Sequence, residues 1–257
     1  MTYNNSALTI TFCDRGENHI GNQQIGNLAT QGFTFDELQS IKNNIDKYNI
    51  ESYLINLVQY LPEQHNENKS INAGILIIKN GVDIFVKPPD LVWSELSSLT
   101  YDSHALMYGQ VREKHARHNL CFGDIDQTAD YSSGKGTIIN FSHVPYLSHI
   151  RKYLPELLGK KANNLVAEAN YYYNINKCGI GYHGDAERKI VVGVRLGTDF
   201  PLCYYWHLGK DRISQRIDFD LKHGDIYIMD EKTCGFDYKK RKIPTLRHAA
   251  GCNKYII

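Results

Sequence analysis

The segment YYYNINKCGIGYHGDAERKIVVGVRLG, residues 171–197, carries a His-Gly-Asp tripeptide between an apolar segment and a β-rich run. On an extended backbone, residues two positions apart project to the same side, so the imidazole of His183 and the carboxylate of Asp185 can converge on one ion. A distant second histidine would complete the 2-His-1-carboxylate triad of non-haem Fe(II) oxygenases, which leaves coordination positions open. The tripeptide alone fits either a metal site at the end of a strand or a surface turn with a solvated Asp185, and its sequence context decides between them.

Closely spaced β-rich segments surround this motif from about residue 104 onward, and one predicted helix, 142–158, interrupts them. The predicted strands are 106–111, 165–173, 189–196, 202–208, 213–221, 225–229 and 254–257. Many short strands separated by Gly and Asp turns are typical of a sandwich or barrel rather than of a parallel sheet. We therefore predict an α+β protein whose residues 101–257 form a double-stranded β-helix, or jelly-roll, core.

The sequence pattern of residues 1–100 predicts a small α/β module of unknown role. A capping-box pattern, Thr34 with Glu37, predicts a helix that ends near Lys47. The other predicted elements are a loop at 16–26, a second helix at 51–61, a loop at 64–70 and a hairpin that turns at Asn80-Gly81, where both turn positions favour positive φ.

The overall composition says little about a partner. The chain has 257 residues and a formal net charge of +1, which gives no global sign of a polyanionic ligand. The six cysteines are scattered without a Cys-x-x-Cys pair, so we expect reduced thiols rather than a disulfide framework. The N-terminus lacks a signal-peptide pattern and no apolar run is long enough to span a bilayer, so we expect a soluble, cytoplasmic protein with no membrane partner.

Three runs resemble the AlkB family of oxygenases. The run 173–188 is similar to the family's metal-binding segment, in which a tyrosine precedes the first metal histidine through a turn that contains Gly and Cys. The run 189–197 resembles the next core strand, and Leu221-Lys-His-Gly-Asp225 resembles the turn before the second metal histidine. The resemblance covers about residues 104–257 and does not reach the N-terminal module.

The resemblance implies that Fe(II) is held by His183, Asp185 and a distal histidine. His223 belongs to a turn that the family keeps as a non-ligand, whereas His248 lies after the next strand and a long loop, where the distal histidine belongs. If Lys239 were the positional equivalent instead, the third ligand would be missing. The implied reaction consumes O₂, decarboxylates the co-substrate 2-oxoglutarate to succinate and hydroxylates a C–H bond of the substrate; on an N-methyl group it releases formaldehyde.

The chain departs from the family where the distal carboxylate of 2-oxoglutarate is bound. The family supplies arginines from a segment well downstream of its distal histidine. In this sequence, Lys254 is the only lysine or arginine that follows His248. A bidentate arginine suits a carboxylate, and Arg195 lies in an otherwise apolar strand where an unpaired charge is costly, so we prefer Arg195 to Lys254. Tyr173 is the expected hydroxyl partner of the co-substrate. Tyr171 replaces an asparagine of the repair members.

The resemblance implies a base in DNA or RNA as the substrate, because residues 108–131 correspond in position to the family's nucleotide-binding lid. Cationic side chains there would contact phosphates, and an aromatic ring would stack on a base. The predicted substrate-binding residues are Arg112, His115, Arg117, Tyr131, Lys239, Lys240 and Arg241. Two alternatives stay open: the same chemistry on a protein side chain or small molecule, and a non-catalytic jelly-roll binding module.

Overall fold

The computed structural model describes residues 3–65 and 71–257, and this part of the chain is a mixed α+β structure dominated by β-sheets. Its strands are β1 (Ala7–Cys13), β2 (Arg15–Glu17), β3 (Gln24–Gly26), β4 (Ser52–Asn56), β5 (Gly74–Ile78), β6 (His104–Met107), β7 (Gln110–Glu113), β8 (His118–Gly123), β9 (Ile138–Asn140), β10 (Val166–Tyr172), β11 (Gly179–His183), β12 (Val191–Gly197), β13 (Phe200–Leu208), β14 (Asp211–Arg212), β15 (Ile217–Leu221), β16 (Ile226–Met229) and β17 (Pro244–Gly251). Its helices are α1 (Phe35–Asp46), α2 (Asp90–Ser97), α3 (Pro145–Leu158), α4 (Glu231–Cys234) and α5 (Asn253–Ile256).

The larger sheet has eight strands in the order β4-β5-β16-β12-β1-β10-β8-β9. Strand β1 lies near its centre, where it pairs antiparallel with β12 on one side and with β10 on the other. Strands β4 and β5 also come from the first hundred residues. The segments predicted as a module, 1–100, and a domain, 101–257, therefore contribute strands to one sheet, and the boundary near residue 100 does not divide it.

The two faces of the larger sheet have different compositions. Leu8, Ile10 and Phe12 of β1 project to the outer face and join the main hydrophobic cluster, which includes residues of α1, α2 and α3. Thr9 and Thr11 project to the opposite face, because alternate residues of a strand point in opposite directions. The helices thus cover one apolar face and leave a more polar inner face.

The predicted first helix is confirmed. The side chain of Thr34 accepts a hydrogen bond from the backbone N–H of Glu37, and the Glu37 carboxylate accepts one from the backbone N–H of Thr34, so both halves of the capping box are present. Helix α1 then buries Leu38, Ile41 and Ile45, which lie at helical spacing on one face. The helix predicted at 142–158 is also present, as α3.

The smaller sheet has the order β11-β17-β13-β14, with β15 also paired to β13. At one end of the space between the sheets, Ile75 and Ile77 of the larger sheet pack with Tyr204 and Trp206 of the smaller one in a second hydrophobic cluster. The indole N–H of Trp206 donates to the backbone oxygen of Leu57 at 2.9 Å. The architecture is therefore compatible with a β-sandwich.

Several local predictions are wrong. The segment 51–61 forms β4 and a 3₁₀ turn, not a helix, because it pairs with β5 in the larger sheet. Asn80 has the expected positive φ of 50°, but the chain enters a 3₁₀ turn at Gly81–Ile84 instead of a hairpin. The two sides of β5 are already occupied by β4 and β16, so no adjacent strand can pair there.

Three further predicted segments differ in detail. The strand predicted at 106–111 is a hairpin of β6 and β7, and the loop predicted at 16–26 contains the hairpin of β2 and β3. The strand predicted at 254–257 is helix α5, which packs against β11 and β17. Residues 66–70 of the loop predicted at 64–70 lie outside the described residues. Within the described ranges, none of the helices combines the length and apolar composition needed to cross a membrane.

Candidate metal centre

Three side chains predicted as metal ligands converge at the edge of the smaller sheet. His183 in β11 lies opposite His248 in β17, with ring centroids 4.4 Å apart. Asp185 follows β11, and its Oδ1 lies 3.5 Å from His183 Nε2 and 3.8 Å from His248 Nε2. The ligand atoms of the three residues all lie within 4.8 Å of one another, as in no other group of this kind in residues 3–65 and 71–257. The triad could hold a metal ion.

His223, the rival third ligand, lies elsewhere. Its Nδ1 accepts a hydrogen bond from the backbone N–H of Gly197 at 2.9 Å, and its ring stacks on Tyr3 with centroids 4.7 Å apart. These contacts tie the turn before β16 to the end of β12. The structure therefore places His248, and not His223, beside His183 and Asp185.

Both histidines present a nitrogen suited to a metal. The Nδ1 of His183 lies 2.8 Å from the backbone oxygen of Gly181, and because a carbonyl only accepts, this nitrogen carries the proton and Nε2 keeps its lone pair. Burial, and then the electrostatic influence of the neighbouring His183 and Arg188 side chains, lowers the pKa of His248 well below its ordinary value. A neutral imidazole is the form that binds a metal.

The residue between the two ligands of the tripeptide must be small. A Cβ added to Gly184 would collide with the backbone oxygen of Gly235 and lie 2.6 Å from the Cβ of Tyr238. The backbone N–H of Asp185 donates to the backbone oxygen of Cys234 at 2.9 Å. The His-Gly-Asp turn is thus packed directly against the end of α4, and this contact fixes the position of Asp185.

A buried ionic network supports Asp185 from the side of the larger sheet. The Nη2 of Arg188 lies 2.8 Å from a carboxylate oxygen of Glu168 and 2.8 Å from one of Glu187, and its Nε lies 3.9 Å from Asp185 Oδ2. Burial alone would raise the pKa of Glu168, but the guanidinium outweighs it and holds this pKa below the ordinary value. Asp185 is thereby linked to β10.

A cavity of about 620 Å³, here called the central cavity, opens beside the triad. Its wall on the larger sheet is the polar inner face, with Thr9 and Thr11 of β1, Glu168 and Asn170 of β10, and Arg195 of β12. A packed core does not gather this many polar groups, because each unsatisfied one is costly when buried. A concave space with convergent polar groups is typical of a ligand site.

Arg195 is the most unusual residue of this wall. It is only 1% exposed, yet its Nε and Nη1 have no hydrogen-bond partner among the residues that the structure describes. Its guanidinium carbon lies 5.3 Å from the ring centroid of Phe200. Burial lowers the pKa of Arg195, although a guanidinium remains charged at neutral pH. A buried cation without a partner is unfavourable, so the geometry fits an anionic group of a bound ligand.

Tyr173 and Lys254, the other predicted co-substrate residues, lie outside the central cavity. The hydroxyl of Tyr173 donates to the backbone oxygen of His115 at 2.9 Å. The alternation of β10 turns the neighbouring Tyr172 into the cavity instead. Lys254 is exposed in α5, with its Nζ 5.4 Å from the ring centroid of Tyr255. The structure corrects both placements.

The predicted substrate-binding residues divide into two groups. Arg117 lines the central cavity and donates from Nε to Asn170 Oδ1 at 2.6 Å, and Lys239 lies at its rim. Lys239 and Lys240 also line an adjoining surface groove. The others line neither space. Arg112 lies on the β6–β7 hairpin, and His115 lies between β7 and β8. Tyr131 lies on a turn bonded to Asp102, and Arg241 lies in the exposed loop before β17.

Several cavity residues escaped the sequence-based prediction. Tyr172 and Tyr227 project into it from the larger sheet, and His19 and Ile20 reach it from the tip of the β2–β3 hairpin. That hairpin is anchored by Asn18, whose amide donates to Asp102 Oδ2 at 2.7 Å. The available signal was the alternation of apolar and polar residues in β1, which indicates one covered and one polar face.

Comparison with known proteins gives a relative of the same length. The chain is 43% identical over 256 residues to "Uncharacterized protein R156" of Acanthamoeba polyphaga mimivirus, and the alignment covers 100% of both chains. The chain belongs to the family of this mimivirus protein. No protein-family model matches the chain. The mimivirus family thus spans the whole chain, including the N-terminal strands that complete the larger sheet.

Proposed function

We propose that the chain is an AlkB-like Fe(II)- and 2-oxoglutarate-dependent dioxygenase with a double-stranded β-helix core. One observation carries the proposal: a His-Asp-His triad lines the same cavity as a buried arginine, two of whose guanidinium nitrogens have no hydrogen-bond partner among the described residues. The triad has the composition that binds Fe(II) and leaves positions for other ligands. Arg195 offers the cation that the far carboxylate of a dicarboxylic 2-oxo acid requires. The two facing sheets, antiparallel except for the parallel pairing of β8 with β9, support the jelly-roll topology.

When bound, iron and 2-oxoglutarate supply the oxidising chemistry, in which O₂ is consumed and succinate is formed. The chain's own residues bind and orient. His183, His248 and the carboxylate of Asp185 would provide three ligands, and Arg188, whose Nε lies 3.9 Å from Asp185 Oδ2, would hold that carboxylate in place. Arg195 binds and orients the co-substrate, which positions the oxidising chemistry without a proton transfer by the protein.

We propose a base in DNA or RNA as the substrate. The supporting features are cationic: Arg117 inside the central cavity, Lys239 at its rim and Lys240 in the adjoining groove. Such side chains attract phosphates and give binding a strong salt dependence. A protein side chain or a small molecule is the alternative substrate, and a non-catalytic binding module is the alternative to an enzyme.

Metal binding is the first test. The purified protein should take up one Fe(II) per chain, and addition of 2-oxoglutarate without O₂ should produce a visible charge-transfer band. His183→Ala and Asp185→Ala should abolish both signals, whereas His149→Ala, on the exposed face of α3, should leave them unchanged. Full iron binding by both ligand variants would contradict the metal assignment, and iron binding without the band would favour a non-catalytic module.

Substrate class is tested by succinate release across methylated oligonucleotides, free nucleosides and peptides. Stimulation by an oligonucleotide should fall with rising salt, and replacement of Lys239, Lys240 and Arg241 by Gln should reduce the salt dependence of binding. Lys152→Gln and Lys177→Gln serve as controls, since neither residue lines the cavity or groove. Stimulation by peptides alone would transfer the proposal to a protein substrate.

A further inference from the structure

The outer face of the smaller sheet carries two tyrosines side by side. Tyr204 and Trp206 of β13 pack inward, so the alternation of a strand turns Tyr205 to the outer face. Tyr182 of β11 lies beside Tyr205, with ring centroids 4.9 Å apart. Both side chains are partly exposed, and neither lines the central cavity. The two rings therefore present an aromatic surface outside that cavity.

Arginines alternate with these rings. The guanidinium carbon of Arg212, in β14, lies 4.5 Å from the ring centroid of Tyr205 and 5.0 Å from that of Tyr182. Arg247 is directly opposite Tyr205 in the pairing of β13 with β17, and its guanidinium carbon lies 5.8 Å from the ring centroid of Tyr238. These five residues, Tyr182, Arg212, Tyr205, Arg247 and Tyr238, are here called the outer row. Because Tyr238 also lines the central cavity, the outer row leads to the cavity rim.

The outer row lies in a basic surface. The turn 209–212 and the segment 237–247 together contain seven Lys or Arg residues and two Asp residues, although the net charge of the whole chain is only +1. The two segments are in contact. The Nη2 of Arg247 donates to the backbone oxygen of Gly209 at 2.6 Å, and a Cβ added to Gly209 would lie 3.5 Å from the backbone oxygen of Arg241. Their cations therefore share one surface.

Acidic groups do not neutralise the arginines of the outer row. Within the described part of the chain, neither Arg212 nor Arg247 forms an ion pair with a carboxylate. Of the two aspartates in these segments, Asp237 is paired with Lys232 at 2.7 Å, and Asp211 is exposed to solvent. The outer row therefore keeps a positive charge that complements a polyanion.

We propose that the outer row is a binding surface for single-stranded nucleic acid, whose bases stack on the tyrosine rings and guanidinium planes while its phosphates contact the surrounding lysines and arginines. Every base has a flat face that stacks on aromatic rings and on arginine, and clustered cations attract the phosphates. An acidic peptide would use only the cations, and a duplex keeps its base faces inside its own stack. The inference goes beyond the proposed function, because this surface lies outside the central cavity and requires no metal.

Fluorescence anisotropy with the metal-free protein tests the proposal. The probes are an oligothymidylate, its duplex with oligoadenylate, an abasic strand of the same length and a polyglutamate peptide. We expect the oligothymidylate to bind more tightly than the other three probes. Tyr205→Leu should raise the Kd of the oligothymidylate at least about fivefold, the loss expected for one stacked base, without changing that of the abasic strand. Tyr205→Phe keeps the ring and should bind like the wild type.

Arg212→Gln tests the cationic part of the surface at an exposed position. It should weaken the binding of both strands and reduce the slope of log Kd against log salt by about 0.7, as for one phosphate contact on a single strand. The matched controls are Tyr153→Leu and Lys152→Gln in α3, where the Nζ of Lys152 lies 5.2 Å from the ring centroid of Tyr153. Neither control should change the Kd of either strand.

Several results would overturn the inference. They are equal affinities for the oligothymidylate and the abasic strand, binding of polyglutamate alone, an unchanged salt slope in Arg212→Gln, and equal losses in Tyr205→Leu and Tyr153→Leu. The Arg212→Gln result decides the question even if Tyr205→Leu does not fold. None of these outcomes touches the metal centre, so the proposed function stands or fails separately, on the binding of Fe(II) and 2-oxoglutarate.

Discussion

The guanidinium of Arg188 lies 2.8 Å from the carboxylate of Glu168, and both side chains are buried behind Asp185 of the candidate metal site. The pair joins the loop after the His-Gly-Asp tripeptide to β10 of the larger sheet. It therefore connects the candidate metal site, which is built on the smaller sheet, to the opposite wall of the central cavity.

Arg188→Ala should lower the free energy of unfolding by about 3–5 kcal/mol, because it leaves the Glu168 carboxylate buried without a counter-charge. Chemical denaturation measures the change, and Arg112→Ala, at an exposed position, is the control. Adding Glu168→Gln to Arg188→Ala should restore part of the loss, since position 168 then no longer carries a buried carboxylate that has lost its counter-charge. The free energy of unfolding of the double variant is compared with the sum of the two single changes. A double variant less stable than that sum would show that loss of the Arg188–Glu168 pair does not cause the destabilisation.

Arg195→Met should affect stability and binding in opposite directions. In the metal-free protein it replaces an unpaired buried cation by an apolar side chain of similar length, so the unfolding temperature should stay equal or rise. In the Co(II)-loaded protein, the Kd of 2-oxoglutarate should rise about 100-fold or more, as expected for the loss of a charge-assisted bidentate contact. Thermal unfolding and calorimetry give the two values. A destabilised variant with normal 2-oxoglutarate binding would show that Arg195 is structural.

Gly184→Ala should disrupt the metal site, because the new Cβ collides with the backbone oxygen of Gly235, which cannot rotate away. We expect the Co(II) Kd to rise at least tenfold, by calorimetry, with a lower unfolding temperature. The control is Gly181→Ala in the same segment, where the nearest atom to an added Cβ is 4.0 Å away. Equal Co(II) affinities in the two variants would contradict this account of the tripeptide.

His207 gives a pH prediction. Burial, followed by the nearby charge of Arg247, lowers the pKa of His207 from 6.5 to about 4. The unfolded chain therefore takes up a proton near pH 6.5 that the folded protein refuses until about pH 4, so this histidine destabilises the protein progressively as the pH falls through that interval. His207→Gln lacks this proton uptake. The free energy of the wild type relative to the variant should be constant above pH 7 and decline between pH 6.5 and 4.

A difference that stays constant across this pH range would show that His207 has an ordinary pKa in the folded protein. His149→Gln, at an exposed position of α3, is the control for the general effect of losing a histidine. Denaturant titrations at half-unit pH intervals provide the required curves.

Two local signals in the sequence predicted local structure correctly. The capping box at Thr34 predicted α1, and the tripeptide His183-Gly-Asp185 predicted two ligands that the structure brings together. The choice of His248 over His223 came from the resemblance, and the cross-strand pairing of β11 with β17 agrees with it. Arg195 was selected because a charge in an apolar strand needs a reason, and its burial agrees with that argument.

No local pattern in the sequence indicated which face of the sheet a given residue such as Tyr173 occupies, or which distant strands pair. Tyr173 was predicted as the hydroxyl partner of the co-substrate, but the neighbouring Tyr172 is the residue that lines the cavity. A shift of one position moves a side chain to the opposite face of the sheet. The pairing of β1 with β10 and β12 joins residues far apart in the chain, and no local pattern specifies which strands become neighbours. Tyr227 was missed for the same reason, since its position depends on the opposite Gly193.

The central place of β1 has a consequence for synthesis on the ribosome. Its seven residues, Ala7–Cys13, leave the exit tunnel early, but β10 and β12 are translated more than 150 residues later. Until then the strand has two unpaired edges and an apolar face, which is the kind of surface that aggregates or engages chaperones. With contacts of such long sequence separation, we expect slow folding that begins only after translation of β12, and strong dependence of soluble yield on temperature.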